Sequence, residues 1–233
     1  MPPASRKRSV PSVPGRNRMS NLKFSLIIIV VFVVGVAVLF GISRWNNPSE
    51  NSEAAASIAV RDNSLRLSSA PGATVDFVEF LDFECEACGA AYPVIEQLRQ
   101  EYGDRVNFVI RYFPVKSHFN AERAARAVEA AAQQGALEPM YKRMYETQRE
   151  WGEQQVPMDD RFRGYAQDLG LDMARYDAIY NDPATMDRIE ADRQDGLSLG
   201  VQGTPTFFVN GEQLKPQSFE DLRRALDDAL AGR

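Results

Sequence analysis

Cysteine and histidine are nearly absent from this chain of 233 residues, which has two cysteines, Cys85 and Cys88, and one histidine, His118. A scaffold stapled by several disulfides is excluded, and a zinc centre of four Cys and His ligands cannot be assembled. Acidic residues are missing from the first 44 positions, which carry seven Lys or Arg, while the remainder holds 20 basic against 32 acidic residues. A domain that negative repels phosphate backbones, which argues against nucleic acid as a partner. With 44% apolar, 25% charged and 10% aromatic residues, the chain is not a disordered one and is long enough for one substantial core or two small ones.

Charge is also missing between Lys23 and Arg44, where 20 residues run almost wholly through Leu, Ile, Val and Phe from Leu26 to Phe40. A helix of that length covers about 30 Å, the thickness of a hydrocarbon core. A cleavable signal peptide has a shorter apolar stretch followed closely by small residues, whereas Ser43, Arg44 and Trp45 follow here. Residues 23–44 are therefore expected to be a single transmembrane anchor. Six basic residues before the span against Arg44 after it place the N-terminus in the cytoplasm and the large domain outside, in a single-pass cell-membrane protein. Residues 1–22, rich in Pro, Ser and Arg, are expected to form a disordered basic tail, and 45–60, rich in Asn, Ser, Glu and Ala, a flexible linker. A folded domain should occupy 61–233.

The two cysteines stand as Cys85-Glu86-Ala87-Cys88, and a disulfide across so small a loop adds little chain-entropy stabilisation. Upstream, Thr74 to Leu81 is β-rich and mostly apolar, as a buried strand should be. Downstream, Tyr92, Ile95, Leu98 and Tyr102 recur at helical spacing until Gly103. Cys85 then sits where a strand hands over to a helix N-terminus, whose unpaired N–H groups and dipole lower a thiol pKa. Cys88, one turn further in, would be covered and act as the resolving thiol. The competing readings are a copper or zinc site completed by carboxylates and an incidental disulfide.

The sequence resembles the thioredoxin superfamily, and within it the DsbA-like branch of exported thiol–disulfide oxidoreductases. The resemblance is carried by Val78-Glu79-Phe80, the Cys85–Cys88 motif, Pro93, and Gly203-Thr204-Pro205-Thr206. It implies an α/β thioredoxin fold with an inserted helical subdomain, here preceded by the transmembrane helix. It further implies a cis Thr204–Pro205 bond beside the disulfide, with Thr204 offering its backbone to an extended substrate, and a buried acid, Glu79, that takes the Cys88 proton. Glu86 and Ala87 replace the Pro-His pair found in better-known members. A carboxylate beside Cys85 opposes its thiolate, so a higher Cys85 pKa and a milder oxidant are expected than with histidine there.

From Cys88 to Pro205 is 117 residues, more than a minimal thioredoxin core needs. The interval holds helical patches at 120–134, 137–150, 160–169, 172–180 and 184–199, placing the insertion at about 117–200. Val106, Phe108 and Ile110 alternate as a second inner strand. Thr206 to Val209, Asn210-Gly211 and Glu212 to Leu214 read as a hairpin, and Ser218 with Asp221 as a capping box opening a last helix with Phe219, Leu222, Leu226 and Leu230 on its apolar stripe. Tyr141, Met144, Tyr145 and Trp151 read as core, and His118, beside a helix start, as a capping or packing group.

The expected function is that of an exported, membrane-tethered enzyme that introduces disulfides into secreted proteins, with no cofactor. The resemblance implies a DsbB-like or vitamin-K-epoxide-reductase-like quinone-linked membrane partner to reoxidise it. The alternatives are a disulfide reductase or isomerase running the same chemistry in reverse, and a non-enzymatic copper or zinc carrier using the two cysteines.

Overall fold

A computed structural model describes residues 31, 32, 34–36 and 48–232. Most of the span expected over 23–44 lies outside the described residues; Val31, Phe32 and 34–36 are helical and exposed. Among the described residues no helix is long and apolar enough to cross a membrane.

The centre of the fold is a pair of parallel strands, β2 (Val75–Leu81) and β3 (Val106–Tyr112), in register from Val75↔Val106 to Leu81↔Tyr112. Parallel neighbours need a crossover, and α2 (Glu86–Tyr102) supplies it. The sheet is completed by β1 (Leu65–Ser68) antiparallel to β3, and by β4 (Thr206–Val209) and β5 (Glu212–Gln213) beyond β2, giving the order β1-β3-β2-β4-β5. Both faces of β2 are covered. Phe77 and Leu81 join the cluster that holds Cys85, Cys88, Ile95 and Leu98, whereas Val78 and Phe80 pack on the other side with Val109, Phe113 and Phe208. The β4–β5 turn places Asn210 and Gly211 at φ 49° and 83°, the left-handed pair that a tight hairpin requires.

Five helices and a single turn fill the interval between β3 and β4: α3 (Ala121–Ala132), α4 (Leu137–Glu146), the turn α5 (Gln148–Trp151), α6 (Asp159–Asp168), α7 (Met173–Asn181) and α8 (Pro183–Ser198). Alanines give α3 no bulk, so α4, α6, α7 and α8 all pack around it. Met144 and Trp151 are fully buried, and the Trp151 ring stands edge-on to Phe162 at 4.8 Å. The helical insertion shares one continuous hydrophobic cluster with the sheet and α2. The last helix, α9 (Phe219–Leu230), starts where the Asp221 carboxylate accepts the Ser218 and Gln217 N–H groups. Leu222 and Leu226 are buried, but Phe219, expected on the apolar stripe, is 45% exposed.

One segment departs from its composition. Residues read as a flexible linker form a helix, α1 (Pro48–Ala59), because the core supplies what the sequence pattern lacks. Its last turn is held by Arg111 of β3, whose Nη1 donates to the Ile58 and Ala59 carbonyls at 2.8 and 2.7 Å. The same guanidinium, 1% exposed, donates to Asp192 at 2.7 Å and Asp195 at 2.6 Å on α8, and Arg188 and Arg61 complete the pairing. Removing one partner of such a buried network strands the other charges, which costs about 3 to 5 kcal/mol. Arg111→Ala is therefore expected to lower unfolding stability in urea by that amount, and a loss below about 1 kcal/mol would show that the two aspartates find other partners.

Candidate active site

Leaving β2, the chain makes a four-residue connection, Asp82-Phe83-Glu84-Cys85, before α2 begins. The Cys85 N–H donates to the Asp82 carbonyl at 3.1 Å, and the Glu84 N–H donates to the Asp82 carboxylate at 2.8 Å, so the aspartate folds the loop around itself. Cys85 is the N-cap of α2, extended at φ −67° and ψ 121°. From the insertion, Gln148 reaches in: its Nε2 donates to the carbonyls of Phe83 and Cys85, both at 2.8 Å. Gly89 makes room for it, since a Cβ there would overlap the Gln148 amide. A second stitch runs through Glu84, whose buried carboxylate accepts the N–H groups of Asn120 and Glu153.

Both thiols are free. Cys85 is 8% exposed and Cys88 fully buried, so one sulfur meets solvent and the other cannot. The Cys85 pKa is lowered to about 5, first by the Cys88 thiol and then by the Cys88 and Ala87 N–H groups, against the cost of burial. Burial pushes Cys88 well above its ordinary range, and its bond to Cys85 adds to this. The pair is thus one thiolate over one thiol at neutral pH. Glu86, expected to oppose the thiolate, points to solvent, where water screens its charge, and Cys85 is strongly acidified with it in place.

The Thr204–Pro205 peptide bond is cis, and the Thr204 carbonyl lies 3.3 Å from Cys85 Sγ. Sequence positions 119 apart therefore meet at the sulfur. Beside them runs a groove of about 630 Å³ lined by Ala87, Ala90, Pro205, Phe207, Leu214 and Phe219. This explains the exposure of Phe219: it faces a surface channel rather than the core. On the other side of α2, a polar hollow of about 430 Å³ is bordered by Glu86, Gly89, Tyr145, Gln148 and Arg149.

Glu79 sits at the middle of β2, opposite Ile110 and Phe207, and is 3% exposed. Burial, then the Cys85 charge, raises its pKa to about 8. Strand alternation puts it on the face of Phe77 and Leu81, beneath the cysteines. The structure thus brings Cys85, Cys88, Glu79, Ala87, Thr204 and Pro205 to one place, with Glu86 at its rim. Asp82, Glu84 and Gln148 were missed: each acts through partners 33 to 69 residues away, and only the Asp-x-Glu run before Cys85 hinted at two of them. Among the described residues no group of three or more His, Cys, Asp or Glu side chains is arranged to hold a metal ion.

Two titrations follow. Cys85 holds its proton less tightly in the folded dithiol than in the unfolded chain, so its contribution to stability is full above about pH 9 and is lost as pH falls through about 5. Thiolate ultraviolet absorbance should report a midpoint near pH 5, and Cys88→Ala should raise it by about one unit or more; an unmoved midpoint would remove Cys88 as the main stabilising donor. Glu79 has the opposite sign, its contribution being intact below about pH 4.5 and lost as pH rises through about 8. In the disulfide form, where the Cys85 charge is gone and burial alone raises the Glu79 pKa, urea stability of the wild type should fall as pH rises above about 4.5. Glu79→Gln should be flat there and about 1 kcal/mol or more the stabler at pH 8, and an unchanged slope would mean that Glu79 is already ionised.

Known proteins place this geometry. A thioredoxin-like oxidoreductase from Silicibacter pomeroyi DSS-3 superposes with a TM-score of 0.63 at 25% identity, covering 74% of this chain and 95% of that one. The thiol-disulfide exchange protein alpha-DsbA2 of Wolbachia pipientis gives 0.65 at 19% identity, covering 80% and 98%, a likeness of fold. A sodium/proton antiporter, NhaA, of Herminiimonas arsenicoxydans is 37% identical over 147 residues, 61% of this chain, although the chain spans only about a fifth to a third of the length of such curated relatives. The family profile described as Thioredoxin matches residues 68–228, more than half of the chain. On that match the chain belongs to the thioredoxin family, and its fold is that of the DsbA-like thiol–disulfide oxidoreductases.

Proposed function

We propose that this protein is a dithiol oxidase that introduces disulfides into exported proteins. The observation that carries the reading is a Cys85 pKa near 5 above a buried, protonated Cys88. A thiolate that stable favours the dithiol over the disulfide and so makes the disulfide oxidising. At pH 7, lowering a thiol pKa from 9 to about 5 shifts the dithiol–disulfide equilibrium about 100-fold, or about 60 mV for two electrons.

In this reading an extended substrate lies in the apolar groove beside Thr204 and Pro205, pairing with the exposed backbone there. Its thiolate attacks Cys85 Sγ, the Cys85–Cys88 bond breaks, and Cys88 leaves with the electron pair. Glu79, protonated at neutral pH, supplies the proton that Cys88 needs. A second substrate thiolate attacks the substrate sulfur, Cys85 departs as its stable thiolate, and the substrate carries away the new disulfide.

The site's setting belongs to the same proposal: an anchor at 23–44, an extracytoplasmic domain, and a DsbB-like or vitamin-K-epoxide-reductase-like membrane partner that takes the electrons. The charge step around residues 1–44 supports it, as do the antiporter relatives, which are named for transport across a membrane. The deciding measurement is the reduction potential of the full chain equilibrated in glutathione buffers. A value well above the roughly −270 mV of thioredoxin, toward the roughly −120 mV of DsbA, is expected; one at or below about −270 mV would make the protein a reductase.

A further inference from the structure

The one histidine of the chain is tied to the cysteine loop. His118 follows β3, its N–H donates to the Val115 carbonyl at 2.9 Å, and its ring Nδ1 lies 2.7 Å from Oδ2 of Asp82. The Asp82 side chain is completely buried and also accepts the N–H groups of Val115 and Glu84, both at 2.8 Å. An anion so placed fixes the imidazole with Nδ1 as donor and leaves Nε2, on a ring 31% exposed, without a partner among the described residues. The Asp82 carbonyl in turn accepts the Cys85 N–H, so carboxylate, imidazole and nucleophile are joined through one loop.

We propose that the Asp82–His118 pair is the second proton site of the exchange reaction, with the imidazolium of His118 as the counter-charge of the Cys85 thiolate. When a substrate dithiol reduces the Cys85–Cys88 disulfide, it gives up two electrons and two protons and becomes a disulfide. The electrons break the S–S bond; one proton ends on Cys88, by way of Glu79, and the other is shared between His118 Nε2 and solvent instead of ending on Cys85. Reoxidation returns both protons to solvent. The inference rests on the exchange chemistry proposed above, although not on its direction.

The charges around the ring favour this storage. Asp82, first by its hydrogen bond, and then the charges of Asp82, Cys85 and Glu84 hold the proton on His118 against partial burial. Glu84 is itself satisfied by the Asn120 and Glu153 N–H groups, and on α3 Arg123 is committed to Asp159 at 2.9 Å. Lys116 is the nearest cation along the same loop. A ring that served only to close the Val115–Asn120 loop would keep its hydrogen bonds in both redox states and would not sense the sulfur.

Because His118 is the only histidine, its ring resonances in selectively labelled full-length protein in micelles belong to one residue. The test is its NMR titration in the disulfide and the dithiol forms. The midpoint is expected about half a pH unit or more higher in the dithiol, and by reciprocity His118→Gln should raise the Cys85 thiolate midpoint by the same amount. Equal His118 midpoints in the two redox states overturn the proposal without any variant having to fold, and so does a Cys85 midpoint that His118→Gln leaves in place. A low reduction potential alongside the expected titrations would reverse the direction of electron flow and leave the role of His118 standing.

Discussion

The coupling of the Cys88 thiol to the Cys85 sulfur, which acidifies one and holds the proton on the other, is the interaction around which this molecule is arranged. It requires one sulfur at a helix N-terminus and the other one turn inside, the first reachable by solvent and the second sealed from it. Sealing Cys88 requires cover on every side. β2 runs beneath it, the cis Thr204–Pro205 turn closes the front, and the insertion reaches over the top through Gln148 and through the Asn120 and Glu153 N–H groups that Glu84 accepts. The long helical insertion is therefore part of the thiol chemistry, because two of its backbone N–H groups and one side-chain amide hold the loop that ends in Cys85.

The rear of the sheet answers a different requirement. β2 and β3 are buried on both faces, so the face away from the cysteines also needs a cover, and α8 lies close enough only because Gly196 sets no side chain against Phe80 and Phe113. Arg111 then turns a charge in this apolar layer into a junction, gathering two aspartates from α8 and two carbonyls from α1. The insertion is consequently fastened to the sheet twice, at the cysteine loop in front and at Arg111 behind.

Local order was largely legible in the sequence. Val75 to Leu81 followed by a helical period identifies strand and helix with few alternatives, and Gly135, Gly170 and Pro183 mark helix ends because positive φ or a missing N–H makes those residues the cheapest stops there. What pattern could not supply is pairing across distance. Arg111 in a strand, Gln148 at a helix start and Asp82 after a strand are unremarkable in their own windows, and their partners lie up to 84 residues away. The same limit explains α1: Glu and Ala favour a helix, but no apolar stripe marks one, and the guanidinium that holds its end is 52 residues downstream. Phe219 illustrates the converse, an apolar residue at the right helical phase that faces the groove it lines with Pro205 and Phe207.

Gly89 and Gln148 carry a consequence for how such a chain varies over time. They are 59 positions apart, yet the space one vacates is the space the other fills. A side chain gained at 89 displaces the amide that steadies the nucleophile's loop, and a shorter residue at 148 leaves a hole beside a bare glycine. Either change alone is disfavoured, while a matched change at both restores contact. In genetic terms the two positions behave as a single locus, in which a suppressor of a lesion at one is to be sought at the other.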